Sequence, residues 1–251
     1  MPSFSLRVCA RLAGALLLSC AAAPSLAQPI YHPPAGQNFE GVWLIEGDHS
    51  VVKTVQGKLP PLSRAAAATY AAHVKARKAG KPDFDTIQTC KPHGFPRILF
   101  AAYPIEVLQE PKQVTFIHEV HHMPRIVYLD LTLPKLEDID PKWMGESAGH
   151  WEGDTLVVDT TNFPPQQNFR GSSENLHVVE RFRRADAKTI NYRFTVDDPT
   201  TFTAPFTGEI PFQAMNELIY EYACHEGNYA MSNILSGARN EEKRLGSKQE
   251  K

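Results

Sequence analysis

Apolar and polar residues alternate with a period of two through most of the chain from Pro96 to Cys224. The runs are RILFAA, IEVLQE, VTFIHEV, RIVYLDL, GHW, TLVVDTTNF, HVVERFRR, TINYRFTV, FTGEIPFQA and LIYEYAC. Short alternating runs rich in β-branched and aromatic residues predict half-buried strands. Several are joined by short polar connections, including Glu-Pro-Lys-Gln at 110–113, Glu-Gly-Asp at 152–154, Ala-Asp-Ala-Lys at 185–188 and Met-Asn at 215–216. Consecutive hairpins of this kind form an antiparallel meander, which must close or pack on itself to bury one face and hide its edges. The expected fold is therefore mostly β: a lipocalin-like β-barrel or a curved sandwich.

Upstream the pattern differs. FEGVWLIEG reads as a first strand, and the alanine-rich stretch after Ser63 reads as a helix over 63–79, with Ser63 as its N-cap and Gly80 and Pro82 as its stop. Residues 28–38 carry three prolines and no periodicity, which predicts an extended lead-in. Residues 229–251 read as a C-terminal helix running into a charged tail, leaving 39–228 as one barrel-like domain.

Residues 1–27 have the composition of a secretory signal: Arg7 and Arg11, an apolar run from Leu12 to Leu18, and a small-x-small site ending at Ala27. A lipid anchor on Cys20 is the alternative, and both readings place the protein in the periplasm or outside the cell. No other stretch is long and apolar enough to span a bilayer. A formal charge of −2 provides no basic field for nucleic acid. Of the four cysteines, Cys9 and Cys20 fall in the signal, so an oxidising compartment would pair Cys90 with Cys224 as a disulfide. A Cys2His2 metal site using His93 and His225 is the other option, although its spacings are irregular for zinc.

Strand parity marks the polar residues that share a face with apolar ones. Glu180 falls with Val178 and Phe182, Glu221 with Ile219 and Ala223, Asp159 with Val157 and Phe163, and Glu119 with Ile117. Inward carboxylates need partners, and Arg97, Arg125, Arg181 and Arg183 are candidates. The residues form either an ion-pair network that sets strand register or the polar floor of an apolar pocket. In the second case Glu119, His118, His121, His122 and Arg125 are the acid–base candidates. Trp43, Tyr128, Trp151, Asp159, Glu180, Glu221, His225 and Glu226 would then contact the ligand.

HEVHH at 118–122 spells a zinc-hydrolase motif, which brings its outer histidines to about 6 Å on a helix but leaves them about 13 Å apart on a strand. VTFI before it is β-forming, and Pro124 follows. The expectation is a hairpin with no metal.

The segments CKPHGFPR, YPIEVLQEPKQVTFIHE, WMGESAGHWEGDTLVVDTTNF, VVERFRR, TVDDPTTFTAPF and YEYACHEGN, which cover most of residues 85–229, resemble a large group of secreted bacterial proteins. In that group the VTFIHE stretch ends in an aromatic residue and glutamate, so the resemblance carries over Glu119 but neither outer histidine. YLDLTLP stands where Asp-Gly-Arg is usual, and His150 stands where arginine is usual. Gly41-Val42-Trp43 resembles the Gly-x-Trp of lipocalin-type barrels. The resemblance implies a fold and a compartment and attaches no chemistry. From the residues themselves, the expected function is binding of a small hydrophobic or aromatic molecule. Cofactor-free acid–base chemistry of the lyase or isomerase type, a non-catalytic binding role and zinc hydrolysis stay open as alternatives, and so does the oligomeric state.

Overall fold

The computed structural model describes residues 31–47, 52–81, 91–132, 135, 138–166, 169–223 and 230–249. The signal, the Cys20 anchor, the Cys90–Cys224 disulfide, His225 and Glu226 lie outside these residues. Among the described residues no helix is long and apolar enough to cross a membrane.

Nine strands close into a barrel in sequence order: β1 Gly41–Ile45, β2 Ile105–Glu110, β3 Gln113–His118, β4 Met123–Leu129, β5 Glu146–Glu152, β6 Thr155–Thr161, β7 His177–Arg184, β8 Thr189–Asp197 and β9 Phe206–Met215. A ring of sequential neighbours can be antiparallel throughout only if the strand number is even. Nine strands force one parallel pair, and it falls between β4 and β5, where Val127 faces Ser147. A parallel pair needs a long crossover, which residues 130–145 supply.

Alternation decides the interior. Val178, Glu180 and Phe182 point inward from β7, and Ile190, Tyr192, Phe194 and Val196 from β8. Their rings pack with those of neighbouring strands: Phe182 lies 5.2 Å from Phe116 and 4.8 Å from Tyr192, which lies 5.0 Å from Phe212. Large rings bury the most apolar area per residue, so this cluster dominates the core. Gly208 leaves room for it, because a Cβ there would sit 2.3 Å from Phe194 Cζ.

The two ends of the barrel differ. One is closed by the two-residue turns after β2 and β5, the turn after β7, and the lead-in. Instead of staying extended, the lead-in makes a 3-10 turn at Ala35–Gln37 and lays Phe39 on Trp151 at 5.5 Å. The opposite end carries the long connections after β1, β6 and β8, and the β3–β4 corner. Helix α1, Arg64–Lys78, is among them; Ala66 N–H donates to its N-cap Ser63 Oγ. Asp198 organises the connection after β8. Burial alone would raise its carboxyl, but hydrogen bonds from Thr200, Ser173 and Thr201 hold it below the usual carboxylate range. Helix α2, Ala230–Gln249, runs through the charged tail.

Several expectations are corrected. RILFAA is a 3-10 turn over Arg97–Ala101, because adjacent Ile98 and Leu99 are both buried, which one-faced alternation does not allow. LIYEYAC is not a strand in its described part, 218–223; it passes outside the barrel and leaves Glu221 exposed. Asp159 and Glu119 do not point inward. In β6, Leu156, Val158 and Thr160 take the interior, and Asp159 faces out to His177 at 3.0 Å. In β3, Val114, Phe116 and His118 are buried, and the strand ends before Glu119.

Candidate functional site

The most unusual chemistry collects at the end with the long connections, around the β3–β4 corner. Beneath it, Arg125 on β4 and Glu180 on β7 form an ion pair with side chains 2% and 0% exposed. Inward positions on three further strands, β5, β6 and β8, complete it. The Arg125 guanidinium donates to Glu180 through both terminal nitrogens, to Ser147 Oγ at 3.2 Å and to Thr160 Oγ1 at 2.8 Å. Tyr192 O–H donates to Glu180 Oε1 at 3.0 Å, and burial together with the adjacent carboxylate pushes its phenol well above the ordinary value. Phe95 caps the guanidinium, its ring centroid 3.7 Å from Cζ. The CKPHGFPR loop can insert Phe95 because Gly94 has a left-handed φ of 67° and lies against the Trp143 carbonyl, where a Cβ would crowd.

His118, the last residue of β3, points inward and is 1% exposed. Burial, the Arg125 charge and then His93 lower its pKa to about 3, so the ring is neutral. Its Nε2 has no hydrogen-bond partner among the described residues. An unpaired buried polar atom costs roughly 1–3 kcal/mol and calls for an explanation.

The chain then turns through Val120–His122 as a 3-10 corner, with His121 and His122 in the left-handed region at φ 60° and 46° and Ala102 close by in sequence to β2 at φ 58°. Non-glycine residues held there cost of order 1–3 kcal/mol each and cluster at functional sites. His121 Nε2 lies 3.0 Å from His93 Nδ1, so one ring donates to the other, and burial lowers the His121 pKa. Tyr222 packs edge-on to His121 at 4.9 Å and to Tyr103 at 5.7 Å. The segment after β9 is pinned here: Tyr220 N–H donates to Glu119 Oε2 at 2.9 Å and Tyr222 N–H to His122 Nε2 at 3.0 Å.

HEVHH is therefore a strand end and a left-handed corner. His118 faces the core while His122 faces the returning chain, and the helix that zinc binding through this motif requires does not form. Among the described residues no group of three or more His, Cys, Asp or Glu is arranged to hold a metal ion.

No protein-family model matches the chain, and no curated protein matches it.

The structure brings His118, Glu119, His121, His122, Arg125 and Glu180 to this end of the barrel and disperses the other candidates. Trp43 is buried toward the opposite end, where its Nε1–H donates to Phe39 O at 2.8 Å. Trp151 is also there, and Tyr128 and Asp159 lie on the outer wall. Arg181 pairs with Glu152 outside the barrel. Ser147, Thr160, Tyr192, Tyr103 and Tyr222 were not among the candidates, and His93 entered only as a partner for a metal. Parity carried a signal for Tyr192, between Ile190 and Phe194, and for Thr160, after Val158. Nothing local to Tyr103 or Tyr222 marks them, since a long-range contact brings them together.

Proposed function

We propose that this is an exported protein that takes a small, largely apolar molecule bearing a carbonyl or hydroxyl group at the β3–β4 corner and moves a proton on it. The observation that carries the reading is the unpaired Nε2 of the buried, neutral His118. A ligand oxygen would supply the missing partner, and Arg125 close by would favour negative charge developing on it. His121 and His93, hydrogen-bonded and nearer solvent, suit proton exchange. A carbon acid next to a carbonyl, or a hydroxyl leaving group, is the chemistry such a set supports, which gives isomerisation, elimination or hydration. A non-catalytic binding protein is the second reading. It is favoured by the ties that Glu119 and His122 already make to backbone, which leave fewer free bases.

The test pairs binding with exchange. Histidine-labelled protein titrated with cyclohexanone, cyclohexanol and toluene should show the His118 and His121 ring resonances moving with the two oxygenated probes and much less with toluene. Deuterium wash-in at the carbon next to the ketone should be accelerated, and should fall about 100-fold or more in His121→Asn, a residue that tolerates left-handed backbone. Binding without exchange would leave the binding protein. Ring resonances indifferent to all three probes would remove the site.

A further inference from the structure

The outer wall of the barrel carries a separate cluster of chemistry, toward the end closed by the short turns and away from the histidine corner. A hollow of about 280 Å³ there is lined by Thr155, Arg181, Arg183, Asn191, Arg193 and Glu209. Most small-molecule sites measure roughly 300–1,000 Å³, so this one suits a compact ligand. Strand register builds it. Thr155 on β6 lies opposite Arg183 on β7, which lies opposite Asn191 on β8. In the neighbouring row Arg181 lies opposite Arg193, which lies opposite Glu209 on β9. Phe182 and Tyr192, paired between these rows, are buried in the core, so the rows on either side face outward.

Three features point to an anion. Like charges directly opposed across a ladder destabilise a sheet, yet Arg181 and Arg193 are so placed. Each is held from the side, Arg181 by Glu152 of β5 and Arg193 by Glu209, through Nε at 2.9 Å and Nη2 at 2.7 Å. Those bonds leave Nε and Nη1 of Arg181 and Nη1 of Arg193 without a hydrogen-bond partner among the described residues. The second feature is the neighbouring row. Among the described residues the side chains of Thr155, Arg183 and Asn191 make no hydrogen bond, and Arg183 no ion pair. The third is the balance of charge. Three guanidiniums meet two carboxylates, and a hollow of about 420 Å³ that adjoins this one at Arg193 adds Lys58. A guanidinium fork, an amide and a hydroxyl all donate, and a phosphate group accepts from each of them.

We propose that this outer face of β6–β8 binds a small phosphate-bearing anion, its phosphate oxygens on Arg183 and on the unused N–H groups of Arg181 and Arg193, with Thr155 and Asn191 beside them. The site is independent of the histidine corner. Glycerol phosphate and its neutral counterpart glycerol are titrated into ¹⁵N-labelled protein, and binding is read from the amide shifts of β7 and β8. Glycerol phosphate is expected to bind with a Kd below about 1 mM at an ionic strength of about 0.01 M, and several-fold more weakly at about 0.15 M. Glycerol should not bind. Arg183→Gln should weaken the phosphate about fivefold or more with the fold intact. Glu209→Gln, which releases Arg193 and removes a competing charge, should tighten it severalfold. Lys112→Gln, an exposed cation on the β2–β3 turn across the ring of strands, should leave it unchanged. Cosedimentation with phosphatidylglycerol vesicles distinguishes the source of the phosphate: pelleting that is lost in Arg183→Gln makes it a lipid headgroup, and binding of glycerol phosphate without pelleting makes it a free ester. No binding of glycerol phosphate, an unchanged Kd in Arg183→Gln, or an equal loss in Lys112→Gln would each overturn the assignment.

Discussion

Replacing Arg125 with methionine is expected to lower the stability of the protein by about 3–5 kcal/mol. The cost comes from what remains. Glu180 is fully buried and accepts hydrogen bonds from Arg125 and Tyr192; without the guanidinium, one phenol faces an uncompensated carboxylate in the barrel core. Ser147 and Thr160 would lose a donor at the same time, and Phe95 its cation. Glu180→Ala should cost a similar amount, for the converse reason. The paired change Arg125→Met with Glu180→Leu should cost far less than the sum of the single changes, because a buried pair replaced by apolar groups loses its attraction and its desolvation penalty together. Glu221→Ala is the control: its side chain is exposed, and a change within about 0.5 kcal/mol is expected. Urea midpoints of the variants decide the matter. Unchanged midpoints for both Arg125→Met and Glu180→Ala would show that the pair does not anchor the core.

His118 should make the folded state acid-sensitive. Its pKa is about 3 in the folded protein, against about 6.5 for the exposed side chain in an unfolded chain. Below pH 6.5 the unfolded chain takes up a proton that the folded protein refuses, so unfolding is favoured as pH falls. The stability His118 contributes is complete above pH 6.5 and declines until pH reaches about 3. At 1.36 kcal/mol per unit, the loss by pH 4 is about 3 kcal/mol. His177 acts in the opposite sense: its hydrogen bond to Asp159 raises its pKa, which adds stability that is lost as pH rises. That pair is well exposed and screened, so its effect is small. Denaturant unfolding of the wild type and His118→Leu at pH 7 and pH 4 isolates the term. The variant should show a drop smaller by about 3 kcal/mol, and parallel drops would contradict it.

The barrel could be read from the chain because period-two alternation is a local signal, and it also placed Glu180 inward among Val178 and Phe182. Glu119 lies past the end of β3, where strand parity no longer applies, and Asp159 went to the wrong face for a different physical reason. In TLVVDT both faces carry apolar residues, so parity says which residues share a face but not which face is inside; Val157 is buried even though it points outward. The closure of the ring decides that, and closure is long-range. The parallel β4–β5 pair escapes local reading in the same way, since it follows from the strand count and not from any segment. RILFAA and the described part of LIYEYAC, 218–223, have strand composition but join no strand ladder among the described residues, and a strand without a ladder does not form. At the corner, the HEVHH letters were informative once their conformation was known. One histidine enters the core, one pairs with His93, and one pins the chain returning from β9.

The most direct measurement is a site-resolved ¹⁵N titration of the His118 imidazole. The prediction is a neutral ring from pH 8 down to about pH 4, with the nitrogen shifts constant through the range where an ordinary histidine protonates. Titration of His118 near pH 6.5 would mean that the ring is solvated and partnered, and the buried, unpaired nitrogen on which the site is built would not exist.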